Sequence, residues 1–141
     1  MILPNVAISI QQPFAGLVAA GLKEIDNRPW RTDYRGPLLI HASRKVDACA
    51  AMAVRCGYHP RTMRHAPEIA PYGHGLELAA GGIVGVADLI DIVEDHPSPW
   101  FEGPFGWVFA NARPLPFLPH VGNLGVFPAA YVASPATAEV A

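Results

Sequence analysis

The stretch GLKEIDNRPWRTDYRGPLLIHAS, Gly21 to Ser43, decides how the rest of this chain is read. It packs Lys23, Arg28, Arg31 and Arg35, the carboxylates of Glu24, Asp26 and Asp33, and the rings of Trp30 and Tyr34 between two apolar elements. Lys23 to Arg28 reads as a strand ended by Pro29, Tyr34-Arg35-Gly36-Pro37 as a turn, and Pro37 to His41 as a buried strand carried by Leu38, Leu39 and Ile40. Charge that only solvates a surface has no use for indole and phenol rings. A site for planar, anionic ligands uses both, with guanidinium and ammonium for phosphate and ring faces for bases.

On the N-terminal side, Val6, Ile8 and Ile10 alternate with small or polar residues as in a strand. Gln11-Gln12-Pro13 then opens a helix of about two turns through FAGLVAAG, with Pro13 in its first turn and Gly21 at its left-handed end. On the C-terminal side, Ser43 is expected to cap a helix from Arg44 to Cys56, with Val46, Cys49, Ala50, Ala53 and Cys56 inward and Gly57 as its stop. Tyr58 to Gly75 is broken by Pro60, Pro67 and Pro71 and reads as a long irregular connection. Its histidines, His59, His65 and His74, are spaced six and nine apart, which matches no common ligand pattern, so no metal is expected.

Strand character returns from Gly82 to Val93, long enough to bend, then at Gly106 to Ala110 and around Leu124 to Phe127. Trp107, inside GWVFA, reads as core. Five or six short, mostly antiparallel strands with two or three flanking helices predict an α+β fold, a small closed or nearly closed β-barrel rather than a parallel α/β sheet. At 141 residues the chain suits one domain, residues 1–133, followed by a frayed tail, residues 134–141.

Charge is unevenly placed. From Lys23 to Arg64 there are nine basic residues against four acidic ones, while the remainder has one base, Arg113, against eight acids. The net charge of -2 thus sums unlike halves, and the basic half can attract a polyanion over a small footprint. Neither a cleavable leader nor a membrane-spanning run is recognisable, which makes a cytoplasmic protein with no membrane partner the expectation. Cys49 and Cys56 show no metal or redox spacing and read as core thiols, and no cofactor is expected.

Several separated blocks resemble the ASCH family, related to the PUA-like RNA-binding barrels. They are QQPFAGLVAAG, GLKEIDNR, WRTDYRGPLLIHAS, GGIVGVADLID, SPWFEGPFGWVFANARPL and GNLGVF, in order between Ala7 and Phe127. The resemblance implies a small β-barrel with a cleft, between barrel and helices, that accepts RNA or a modified nucleobase. The family's glycine, lysine, acid and arginine motif falls on Gly21, Lys23, Asp26 and Arg28, with aspartate where many relatives carry glutamate. Near the C-terminal end many relatives have a lysine before the glycine, where this chain reads His120-Val121-Gly122.

The motif can also be read by its chemistry. On a regular strand Asp26 and Arg28 face one side, so the carboxylate can hold the guanidinium rigid, either for a ligand or purely as a structural pair. Lys23 becomes a general base if burial lowers its pKa, or a charged anchor if Asp26 neutralises it. Trp30 and Tyr34 are candidate stacking platforms, in competition with Trp100, Phe101, Phe105 and Trp107. Arg31 and Arg35 are candidate phosphate contacts. Ser9, Gln11 and Gln12, where the first strand meets its helix, are candidates either for ligand binding or for capping. The motif's cations and the neighbouring indole are expected to converge on one concavity.

Two functions stay open. One is a binding module for RNA, a nucleotide or a modified nucleoside. The other is a hydrolase in which Lys23 with a carboxylate, Asp26 or Glu102, activates water on an amide or a phosphodiester. Some relatives of the resembled family hydrolyse the amide of N4-acetylcytidine using a threonine at the position of Asp26, which this chain lacks.

Overall fold

A computed structural model describes residues 2–132. The expected tail, residues 134–141, lies outside the described residues. The order of elements is β1 (Val6–Gln12), α1 (Phe14–Ala19), β2 (Ile25–Arg28), β3 (Gly36–Val46), α2 (Ala48–Arg55), two 3-10 segments (Pro67–Gly73 and Gly75–Leu78), β4 (Gly82–Val93), β5 (Phe105–Pro119) and β6 (Val126–Pro128). All six strands join one sheet in the order β2-β5-β4-β3-β1-β6. Only β1 and β3 run parallel. The expected small α+β fold is present. Backbone pairing does not close the sheet, because β2 and β6 remain its two edges.

Alternation along the strands sorts the core onto both faces. Ile8, Ile10, Leu38, Ile40, Leu89, Trp107 and Phe109 pack with Ala15 and Val18 of α1. Ala7, Leu39, Ile83, Val86 and Phe127 form a second cluster. A third, Leu17, Ile25, Val54, Ile69 and Trp100, glues α1 and α2 to the irregular connection. Each buried aliphatic side chain contributes about 1.5–3 kcal/mol of transfer free energy, so these clusters carry the fold.

Gly21 takes φ +77° after α1, as its expected role requires. β4 has the expected bounds and Trp107 is fully buried. Other boundaries moved for physical reasons. Lys23 lies before β2, because its N–H closes onto the Leu17 carbonyl at the end of α1 (3.1 Å). β3 continues to Val46, and the Asp47 N–H reaches the Gln12 carbonyl (2.8 Å), so the ladder consumes what was read as the first turn of a helix. Asp47, not Ser43, is the cap, its carboxylate accepting from the Ala50 N–H at 3.0 Å.

The shorter α2 therefore turns Ala50, Ala51 and Val54 inward and leaves Cys49 and Cys56 exposed, correcting their assignment to the core. β5 runs on through Pro114 and Pro116, far past Ala110. β2 pairs with it only from Phe105 to Val108, so beyond that point one edge of β5 is bare and tolerates residues without an N–H. No helix among the described residues is long and apolar enough to cross a membrane.

Candidate functional site

β6 pairs with β1 only from Val6 to Ile8, and beyond it the edge of β1 borders a cavity of about 730 Å³. This volume lies within the range of small-molecule sites. Ser9, Ile10 and Gln11 form one side, the first turns of α2 with Asp47, Cys49 and Ala50 another, and Pro60, Arg61 and Met63 of the irregular connection a third. Lys23, Asp26, Asn27 and Arg28 enter from β2 and the loop before it, and Phe14, Trp100 and Glu102 complete the wall.

Lys23 is only 4% exposed. Its ammonium donates to the Ile25 carbonyl, lies 3.8 Å from Asp26 Oδ1, and sits 5.6 Å from the ring centres of both Phe14 and Trp100. Burial pushes its pKa below the ordinary 10.5, against the opposing pull of Asp26 and Glu24. Asp26 and Arg28 do share a face of β2, and Arg28 Nε donates to Asp26 Oδ2 at 2.9 Å. Arg28 Nη2 donates to the Ser9 carbonyl. That last contact matters to the architecture, because it ties edge strand β2 to β1 where no backbone pairing does.

Hydrogen bonds to Asn27, Leu22 and Glu24 hold the loop 98–103 in place, and Arg61 Nη1 donates to its Pro99 carbonyl (3.2 Å). Asn27 Nδ2 donates to the Trp100 carbonyl (2.9 Å), while its Oδ1 accepts from the N–H groups of Glu102 (2.8 Å) and Gly103 (3.0 Å). Trp100 Nε1 donates to the Leu22 carbonyl (3.1 Å), and Ser98 donates to Glu24. The His59 ring stacks against Trp100 with centroids 3.9 Å apart. His59 Nδ1 accepts from the N–H groups of Arg61 and Thr62, so its proton sits on Nε2. Burial, with Arg61 and Lys23 nearby, lowers its pKa and keeps the ring neutral.

The sequence model of the ASCH domain matches residues 8–115, most of the chain. The chain belongs to the ASCH family. ASCH domains are PUA-like and of RNA-binding type. No curated protein sequence matches the chain.

The ASCH motif residues Lys23, Asp26 and Arg28 meet in the cavity, together with Glu102 at its exposed rim. Trp30 does not join them. It packs edge-on against Trp107 (4.8 Å, 77°) on the other side of Arg28, and the indole beside Lys23 is Trp100. Ser9 reaches the cavity, but its hydroxyl is engaged by His41 Nδ1 (2.8 Å), whose Nε2–H donates to the His120 carbonyl (2.7 Å). Gly122 covers that pair so closely that a Cβ would stand 2.7 Å from His41 Cε1.

Gln11 lines the cavity, whereas Gln12 is fully buried and structural, accepting from the Gly16 N–H and donating to the Glu77 and Ala79 carbonyls. Arg31 lies over Phe105, Arg35 bonds the Thr32 and Tyr34 carbonyls of its own turn, and the Tyr34 hydroxyl donates to the Pro37 carbonyl (2.6 Å). None of these three lines the cavity. Asn27, Phe14, His59 and Arg61 went unrecognised in the sequence, because their roles depend on which loop lies opposite them. Among the described residues no cluster of His, Cys, Asp or Glu is arranged to hold a metal.

Proposed function

We propose that this ASCH domain binds a nucleotide unit of RNA in the cavity framed by Lys23, Arg28 and Trp100. The observation that carries the reading is the immobilised guanidinium of Arg28. Asp26 and the Ser9 carbonyl fix its orientation, and Nη1 has no partner among the described residues. A preoriented fork loses little conformational freedom on meeting a phosphate. Arg61, whose Nη1 donates to the Pro99 carbonyl (3.2 Å), supplies a second cation from the irregular connection, and the edge of β1 at Ser9 to Gln11 supplies polar main chain for a base. Phe14 and Trp100 give the base apolar surface. Asp26, Asp47 and Glu102 offset the cations, which fits a ligand carrying few phosphates rather than a long duplex.

A hydrolytic reading is favoured by one observation, the buried amine of Lys23 with its pKa lowered beside a carboxylate. In the neutral form it is a base of the kind that activates water on an amide. Titration of short fluorescent single-stranded RNAs at several salt concentrations tests binding, and incubation with N4-acetylcytidine tests turnover. Salt-sensitive binding that Arg28→Ala weakens, with no product, supports the module. Product formed by the wild type and lost in Lys23→Ala selects the hydrolase. Failure of both overturns the nucleotide reading.

A further inference from the structure

A second cavity of about 390 Å³ lies beside the first, lined by Ser9, Arg28, Trp30, Asn123, Leu124 and Gly125. It occupies the seam where β2 and β6 fail to pair. Ser9 and Arg28 line both cavities, so the Arg28 guanidinium is the partition between them. On the far side its Cζ is 5.7 Å from the Trp30 ring centre, and Trp30 is half-buried. Leu124 at the mouth is 92% exposed. Gly125, with φ +69°, lies so near the Trp30 ring that a Cβ would touch it at 4.0 Å.

We propose that this seam cavity is a second nucleobase subsite, so that the ligand is a single-stranded oligonucleotide spanning Arg28 rather than a free nucleoside or mononucleotide. The proposal rests on the nucleotide-binding reading of the first cavity. Its physical basis is the order of chemistries along the seam: apolar and aromatic wall, fixed guanidinium, aromatic wall. A phosphodiester has that order, with a base on either side of one negative charge. The charge balance agrees. In the first cavity Lys23, Arg28 and Arg61 are matched by three carboxylates, whereas among the described residues Arg28 is the one charged residue lining the second, so a phosphate at Arg28 meets no carboxylate on the seam side.

Calorimetric or fluorescence titration with ribonucleoside 5′-monophosphates and with dinucleoside monophosphates of the same bases tests the idea. A second stacked base should raise affinity by roughly 5- to 100-fold. Trp30→Ala should erase that gain and Trp30→Phe should keep most of it. Because Trp30 packs on Trp107, a second variant guards against misfolding. Leu124→Glu alters a side chain wholly at the surface and should lower dinucleotide affinity by repelling the phosphate. Equal affinity for mono- and dinucleotides, or a dinucleotide gain that survives both Trp30→Ala and Leu124→Glu, overturns the second subsite while leaving the first cavity's role intact. Absence of binding by either class overturns both.

Discussion

Arg28 is held from two directions, by Asp26 on its own strand at 2.9 Å and by the Ser9 carbonyl across the open seam of the sheet. One side chain therefore joins β2 to β1 and divides two cavities. Arg28→Lys keeps the charge but cannot make both contacts, since an ammonium lacks the planar fork. RNA affinity should fall about tenfold or more, with little loss of the salt dependence. Arg28→Ala should fall further and flatten the salt slope by about one phosphate contact. Anisotropy titrations from low to moderate salt measure both, and unchanged affinity in either variant would remove Arg28 from the interface.

Lys23 should cost the protein stability at neutral pH. Its folded pKa lies below the unfolded 10.5, so below the folded value both states are protonated and the burial penalty is complete. As pH rises from the folded value toward 10.5 the unfolded chain binds more protons, and stability climbs. Lys23→Met should be more stable than wild type near pH 7, by on the order of 1 kcal/mol, while binding or turnover is lost. Urea denaturation from pH 7 upward should show the wild type closing that gap. A gap that widens instead would contradict the direction of the shift.

Asn27 is a positioning residue with three hydrogen bonds to the loop that carries Trp100 and Glu102. Asn27→Ala should destabilise by about 2 kcal/mol, given roughly 1 kcal/mol for each net hydrogen bond and partial replacement by water. Amide exchange at Glu102 and Gly103 should accelerate more than exchange in β4. If both speed up equally, the loop is not separately latched by this residue.

Cys49 and Cys56 are both exposed, and only Cys49 lines the large cavity. Bound oligonucleotide should therefore slow maleimide labelling of Cys49 severalfold and leave Cys56 unaffected. Mass spectrometry of the two labelled peptides reports the ratio. Equal protection, or none, would place the ligand elsewhere.

Much of this molecule was readable from local pattern. The bounds of β4, the left-handed glycine after α1, the buried Trp107 and the family blocks each depend on neighbours in sequence, where apolar period and turn chemistry are strong. Boundaries failed where a distant strand intervened. Asp47 and Ser43 are both good caps by type, and the choice fell to Asp47 because Gln12 paired with the chain up to that point. The strand read as Gly106 to Ala110 runs on through Pro114 and Pro116, because one edge of it is bare and asks for no donor there.

For the site, the sequence determined which cations and carboxylates exist and, through the two-residue period of β2, that Asp26 and Arg28 share a face. Tertiary structure alone decided that the aromatic partner of Lys23 is Trp100 and not Trp30, that Gln12 is consumed by the fold, and that Arg28 separates two cavities. The reason is range: side-chain period fixes direction over a few residues, whereas burial and partnership arise from segments some seventy positions apart brought together by the sheet.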